Sequence, residues 1–600
     1  MNASTRRSRW IFDRHAVPTL LTLVLITVGS AGTAWAAQGG FGRYAPAARY
    51  AERVTTSFYL PMRDGVRLAM RISRPAVHGI PASGTFPVIW QAGLNISESP
   101  EAGKPGIDAG YAAVPSLTRY GYIVVQVARR GNGQSFGSRR GYNDRTEADD
   151  AYEITEWLAR QPWSDGRVGV YGCSNTGDAA MQVLTVRPPH LGAVFAGCFA
   201  WNKFDAFHRG GIYAQWGTGP TRTVAQDMDI EPVDGDADKR LLGIAAQEHQ
   251  LSTNLFELWK SMPFRDSWSP LVQSRFWYEG SISSFAPRIR QGGVPVYIQG
   301  GWHDELRDQG LIALLNLPGS RILIGPWKHC RNPGFELLGE IHRFFDTYLK
   351  SEATGLRAEP RIHYYTINAA AGHQWHTSNV WPVPGERPTR LFLSPSESLR
   401  SAPPAAEVRA SFTVDTKVSC PNADWGPFAQ PCPARGDGVH FAGQVLARDL
   451  TVTGSPVIHL NITADRPDAS LFAYLEDVAP NGAVTEVTEG RLRASLRALS
   501  QAPWAVPGTP WHRSWKQDAK PLVPGTPAVL EFDLMPTSYL FRAGHRLQVT
   551  VSGSDYRERV RDSDAVGERI AIIGSPALRS YLDVPVAPMP AAPGAATRER

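Results

Sequence analysis

Six hundred residues exceed what one compact core accommodates and imply two or three domains. A hydrophobic content of 42%, 20% charge and 18 tryptophans describe a globular, well-packed chain, while a net charge of +6 with no lysine/arginine block among aromatics argues against a nucleic-acid partner. Five cysteines are too few for a disulfide framework, and no Cys-x-x-Cys or His-Glu-x-x-His spacing supports zinc, so no metal or other cofactor is expected.

The first 36 residues read as an export signal. Arg6, Arg7, Arg9 and Arg14 precede an apolar run from Leu20 to Val28, and Ala34-Trp35-Ala36 offers a small-x-small cleavage site. The run is shorter than the ~20 residues of a spanning helix. Cleavage after Ala36 is expected, giving a periplasmic or secreted protein without stable membrane insertion, by a route that Thr5-Arg6-Arg7 leaves open.

Residues 45–200 begin with a hairpin, Ser57 to Arg74, folded at Arg63-Asp64-Gly65. The apolar runs Pro87 to Gln91, Tyr122 to Val127, Val168 to Tyr171 and Ala193 to Phe199 have the character of a buried parallel sheet. Between them Ala151, Ile154, Trp157 and Leu158 recur at helical spacing until Pro162. This is a doubly wound α/β pattern. From 201 to 288 the period changes: Lys239 to Lys260 reads as helix amid many aromatics, and an insertion here would lie over the catalytic edge as a helical cap. Trp201 and Trp216, with Trp302 further on, are candidates to line a substrate pocket, although most rings of the cap are expected to fill its own core.

The α/β domain resumes over 289–353 and closes with a helix from Phe335 to Leu349. From 354 to 588 short strands separated by proline and glycine turns, starting with Arg361 to Ile367 and Thr389 to Leu393, point to an all-β sandwich. The Pro/Ala-rich tail from Pro585, and 589–600 above all, is expected to be disordered. Cys420 and Cys432 bracket a short loop and are the first candidates for a disulfide. Cys173, Cys198 and Cys330 stand at strand ends and read as small buried hydrophobes, with a second bridge among them as the alternative.

The stretch most informative about chemistry is Gly172-Cys173-Ser174-Asn175-Thr176-Gly177, where a strand runs directly into a helical segment. A serine on such a turn is a nucleophile elbow: small neighbours let the chains approach, and the Asn175 backbone N–H faces the oxygen of an attacked carbonyl. Ser174 alone is a weak signal, since serine also caps helices. A short apolar strand from Pro295 delivers Trp302-His303-Asp304, and another from Arg321 delivers Trp327-Lys328-His329. Singly, Asp304 could cap the next helix, Leu306 to Leu315, and His329 could be a satisfied core histidine. Together, three strand-end residues in the order Ser, Asp, His follow the order of α/β-hydrolases.

These residues resemble the cocaine esterase, X-Pro dipeptidyl-peptidase and α-amino-acid ester hydrolase family of serine hydrolases. The matching elements, in order, are Met62-Arg63-Asp64-Gly65-Val66, Arg129-Arg130-Gly131-Asn132-Gly133, Gln161-Pro162-Trp163-Ser164-Asp165-Gly166, the elbow, Gly301-Trp302-His303-Asp304 and Gly325-Pro326-Trp327-Lys328-His329. The resemblance implies an α/β-hydrolase domain with a helical cap and a C-terminal jelly-roll. It implies Ser174 as nucleophile, His329 as general base and Asp304 as its orienting carboxylate. Two positions depart from the family pattern: Asn175 replaces a usual tyrosine, and Asn95 stands where relatives place a tyrosine hydroxyl as second oxyanion donor, a role an amide can fill. The expected activity is cleavage of a small-molecule ester or amide through an acyl-enzyme. An X-Pro or other aminopeptidase is the alternative among enzymes, and a non-catalytic binding protein with a relict site is the alternative of another class. In α-amino-acid ester hydrolases, carboxylates just after the triad aspartate help to bind the substrate ammonium. Here Glu305, Leu306, Arg307 and Asp308 do not match that spacing and Arg307 adds a like charge, so neutral acyl groups are expected.

Overall fold

The computed structural model describes residues 40–96, 109–213, 222–394, 397–415, 438–555 and 565–588. The export segment, Trp216, the Cys420/Cys432 pair and the tail 589–600 lie outside them. β1 (Glu52–Pro61) and β2 (Arg67–Val77) form the expected hairpin, in register Pro61 opposite Arg67, and Gly65 supplies the positive φ of its turn. The two-residue β3 (Ile80–Pro81) pairs back onto β2.

β4 (Phe86–Gly93), β5 (Ile123–Ala128), β6 (Ser164–Cys173), β7 (Leu191–Gly197), β8 (Val296–Gly301) and β9 (Arg321–Gly325) are mutually parallel. The sheet runs in the order β1-β2-β5-β4-β6-β7-β8-β9, so every parallel strand presents its carboxyl end to one edge. Buried side chains such as Val88, Val125, Val170 and Ile298 cover one face of the sheet, and Ile89, Val124, Phe195 and Tyr297 the other. Covering both faces is what makes these strands read as continuous apolar runs.

Local chemistry sets the helix limits. Asp144 caps the helix Arg145–Ala159 by accepting from the N–H groups of Thr146 and Glu147, and Ala151, Ile154 and Leu158 bury its inner face. The run read as one helix over 239–260 is two, Arg240–His249 and Leu255–Lys260. The chain breaks because the Asn254 carboxamide caps the second helix, while the Thr253 N–H bonds to the Arg139 carbonyl. The cap is tied to the sheet domain through buried Lys203, whose ammonium lies 3.5 Å from Asp178.

Most of the segment 361–367 does not join the sandwich, and only its end, Ile367, bridges to Tyr539 there. β10 (Ile362–Tyr365) pairs in parallel with β9, and β11 (Trp375–Ser378) pairs antiparallel with β10, completing the sheet of the first domain. Ile362 is buried in the core cluster of that domain. Its alternation identified a strand but carried no information about the partner. The second sheet system holds thirteen strands between Arg387 and Val586, antiparallel except for the single Ser398/Ala442 pairing among the described residues, around a core that includes Leu460, Ile462, Phe532 and Val549. Its last strand, Tyr581–Val586, takes Pro585 and Val586 out of the expected disordered tail. They pair with Pro388 and Arg387 beside the buried Val584. Among the described residues, no helix is long and apolar enough to cross a membrane.

Candidate active site

Ser174 occupies a backbone conformation, φ 61° and ψ −127°, that a residue with a Cβ rarely adopts and that costs about 1–3 kcal/mol. Its neighbours hold it there. The Ser174 N–H donates to the Gly197 carbonyl at 3.0 Å, and the Asp178 N–H donates to the Ser174 carbonyl at 2.8 Å. A Cβ on Gly172 would stand 2.2 Å from the Thr176 carbonyl oxygen, and one on Gly177 would stand 2.3 Å from that of Gly197, so only glycine fits at either position. The Ser174 hydroxyl makes no capping bond to the helix Asn175–Val186 that follows. That removes the helix-cap reading and leaves the side chain directed elsewhere.

Asp304 follows β8, is 1% exposed, and accepts the Leu306 N–H at 2.7 Å through Oδ1. Its Oδ2 lies 3.0 Å from His329 Nδ1. Burial alone would raise this carboxyl, but the charge and hydrogen bond of His329, with further donors in Cys198 and Leu306, outweigh it and hold the group below the usual value. With Nδ1 engaged by Asp304, Nε2 is the ring nitrogen of His329 that Asp304 does not hold. His303 differs: burial, reinforced by Arg307 and Lys328, pushes it down to about 4, and it does not line the cavity that contains Ser174.

That cavity encloses about 280 Å³ and brings Ser174, Asn175 and His329 together with Tyr111, Gln91 and Gln126. The Asn175 backbone opens the helix, and its side-chain oxygen lies 3.4 Å from the Arg129 guanidinium. Arg129 is buried, donates to Asn143 at 2.6 Å and is paired with Glu147 at 3.3 Å; burial pushes the Glu147 carboxyl up to about 7 despite the pull of Arg129. This network holds the Asn175 side chain, next to Ser174. Sequence reasoning found Arg129 as a motif member but missed Asn143, Glu147 and Tyr111, whose roles depend on long-range contacts that no spacing encodes. Asn95 lies beyond β4, packed against Gly133, and is not among the residues lining the cavity. A larger cleft of about 820 Å³ in the second domain is lined by groups such as Leu391, Leu446 and Arg448, with no histidine, cysteine or carboxylate among its described lining.

Residues 64–331 match the family described as X-Pro dipeptidyl-peptidase (S15 family), and residues 354–564 match the X-Pro dipeptidyl-peptidase C-terminal non-catalytic domain. A Mycobacterium bovis protein named, provisionally, as a serine esterase is 30% identical over 587 residues, covering 84% of this chain and 91% of its own. The cocaine esterase of a Rhodococcus species is 24% identical over 576 residues, covering 86% of this chain and 93% of its own. Among solved structures, a CocE/NonD family hydrolase from Staphylococcus aureus shares the fold with a TM-score of 0.68 at 20% identity, over 91% of this chain and 95% of its own.

Two expectations about the surroundings of the site are corrected. Cys173 and Cys330, read as separate buried hydrophobes, form a disulfide with Cα atoms 6.0 Å apart, and Cys198 is the buried free thiol beside them. Trp201 and Trp302 do not line the cavity. Both are essentially inaccessible in the core of the first domain, where burying a large apolar side chain is worth about 1.5–3 kcal/mol. The Trp302 indole N–H donates to the Tyr365 carbonyl at 2.6 Å, tying β8 to β10. Trp302→Phe is therefore expected to lower the melting temperature through the lost bond, about 1–3 kcal/mol, and to leave KM unchanged. A raised KM at unchanged stability would return Trp302 to the pocket.

Proposed function

The chain belongs to the S15 family of serine hydrolases, and from that premise we propose an exported esterase that uses Ser174, His329 and Asp304 as its triad. One observation carries the reading: Ser174 and His329 line a single cavity while His329 is hydrogen-bonded to buried Asp304. In this scheme His329 Nε2 takes the proton as Ser174 Oγ attacks the ester carbonyl, and Asp304 fixes the tautomer and supports the imidazolium. The Asn175 N–H holds the oxyanion. His329 then protonates the departing alcohol, and a water deprotonated by the same imidazole releases the acid from the acyl-enzyme.

Expected behaviour follows from these roles. Ser174→Ala should cost about 10⁶ in kcat and abolish fluorophosphonate labelling, with His329→Ala nearly as damaging and His303→Ala mild. Absence both of Ser174 labelling and of turnover on any ester, amino-acid ester or X-Pro amide would favour the relict binding protein. Equal losses at both histidines would overturn the choice of base.

The acyl preference rests on the residues after Asp304. Glu305 is paired with Arg491 at 3.1 Å and Asp308 with Arg209 at 2.7 Å, all four largely buried. Carboxylates already neutralised in this way are poor receptors for a desolvated ammonium. Arg307, expected to repel one, instead turns toward the second domain, bonding Glu489 at 2.8 Å and the Asp304 carbonyl at 2.9 Å. Repulsion by Arg307 is thus replaced by pairing as the reason for neutral acyl groups. N-acylated amino-acid esters should show a higher kcat/KM than the matched free amines. The reverse order would promote the aminopeptidase reading, with Glu305 and Asp308 the first positions to substitute.

Export belongs to the same proposal and is supported by the Cys173–Cys330 disulfide, since such bonds persist in oxidising compartments and are rare in the cytosol. The mature protein is expected to begin at Ala37. Recovery from the cytosol with residues 1–36 intact would exclude it.

A further inference from the structure

The base has farther to travel than the other members of the triad. β6, which ends at the nucleophile, and β9, which leads to His329, are separated in the sheet by β7 and β8. At about 4.8 Å per strand the two strand ends stand roughly 14 Å apart. The loop 326–336 must therefore reach back across the edge of the sheet to bring His329 into the cavity with Ser174. The chain spans this distance with a covalent tie placed immediately beside both groups: Cys173 directly precedes Ser174, and Cys330 directly follows His329.

Two further observations bear on the tie. Cys330 has φ 53°, a left-handed conformation that a non-glycine residue adopts when its surroundings impose it, and its N–H donates to Cys198 Sγ at 3.4 Å. Cys198 ends the intervening β7 edge, and its sulfur lies within 4.8 Å of the two bridged sulfurs and also of Asp304 and His329. Burial beside Asp304 pushes the Cys198 thiol well up, keeping it protonated and a poor nucleophile toward the adjacent disulfide. The bridge is thereby protected from rearrangement by the third sulfur.

We propose that the Cys173–Cys330 disulfide is a positioning element of the triad, holding the His329 loop in register with the Ser174 elbow so that the hydrolase reaches full turnover only in its oxidised form. This rests on the assignment of Ser174 and His329 above. A base displaced by about 1 Å can lose roughly 10² in rate while substrate contacts elsewhere are kept.

The test compares oxidised protein, protein reduced with tris(2-carboxyethyl)phosphine, and the double variant Cys173→Ser/Cys330→Ser. The phosphine adds two electrons to the S–S bond and takes the oxygen of a water, whose two protons complete the thiols; alkylation and mass mapping identify which cysteines were released. Both disulfide-free forms, assayed well below their melting temperatures, should show kcat down about 10²-fold with KM little changed. Reoxidation with glutathione disulfide should restore the wild type and leave the variant impaired. A bond that served only global stability would lower the melting temperature and leave kcat intact, and that result overturns the proposal. If the variant fails to fold or the phosphine fails to reach the bond, the remaining arm decides. Absence of ester turnover and of fluorophosphonate labelling in the oxidised wild type would instead overturn the triad assignment itself.

Discussion

Everything at the site hangs on the backbone of Ser174. A parallel strand with glycine as its penultimate residue, followed at once by a helix with another glycine in its first turn, puts the intervening Ser174 at positive φ, and the bonds to Gly197 and Asp178 keep it there. This geometry turns the hydroxyl away from the helix N-terminus, where serine would ordinarily cap, and leaves the Asn175 N–H unclaimed by that hydroxyl. Local strain of this kind persists only where the surrounding packing over-determines it. Here the surroundings are a sheet buried on both faces, with Tyr171 and Val170 of β6 on opposite sides of it.

The second constraint is topological. In a doubly wound sheet the strand order is not the chain order, and residues late in the sequence arrive at strand ends remote from Ser174. Asp304 lies one strand beyond β7 and is buried under its own turn, where it accepts the Leu306 N–H. His329 comes from a more distant strand end and draws on three kinds of restraint: the Asp304 hydrogen bond, the Cys330 N–H to Cys198 contact, and the covalent link to the residue beside Ser174. The restraint increases with the distance to be spanned.

The features legible in the sequence were those set by short-range rules. The hairpin at Gly65, the parallel strands, the elbow and the strand-end positions of Asp304 and His329 follow from periodicity, turn chemistry and the requirement for glycine at close approaches. What escaped depends on contacts between distant segments. The alternation at Ile362 marks a strand without naming the sheet it joins, and an Asn254 that interrupts a helical run becomes a cap only when Arg139 is alongside. Tryptophans of an insertion over the catalytic edge, with Trp302 further on, suggested a pocket lining, yet such rings fill cores more often, and the burial of Trp201 and Trp302 is invisible to composition. Three cysteines at strand ends pointed to proximity, and which two of them bond is decided by side-chain direction in the folded state.

The second domain supplies no group to the described cavity, yet it shapes the chemistry next to it. Arg491 and Glu489 come from one strand of the β-sheet system and reach Glu305 and Arg307, the residues just past Asp304. Arg209, from the cap, takes Asp308. A segment carrying three charges beside Asp304 is thus paired from two directions, with each ion largely desolvated. Such pairs contribute little net stability, because desolvation consumes most of the Coulomb gain, but removing one partner leaves a buried charge uncompensated. Their effect is to fix where charge is available. The carboxylates that follow Asp304 in sequence are committed to arginines of the cap and the second domain. The second domain thus reaches the segment after Asp304 through Arg491 and Glu489, and without Arg491 and Arg209 the Glu305 and Asp308 carboxylates would stand largely buried with no arginine to balance them.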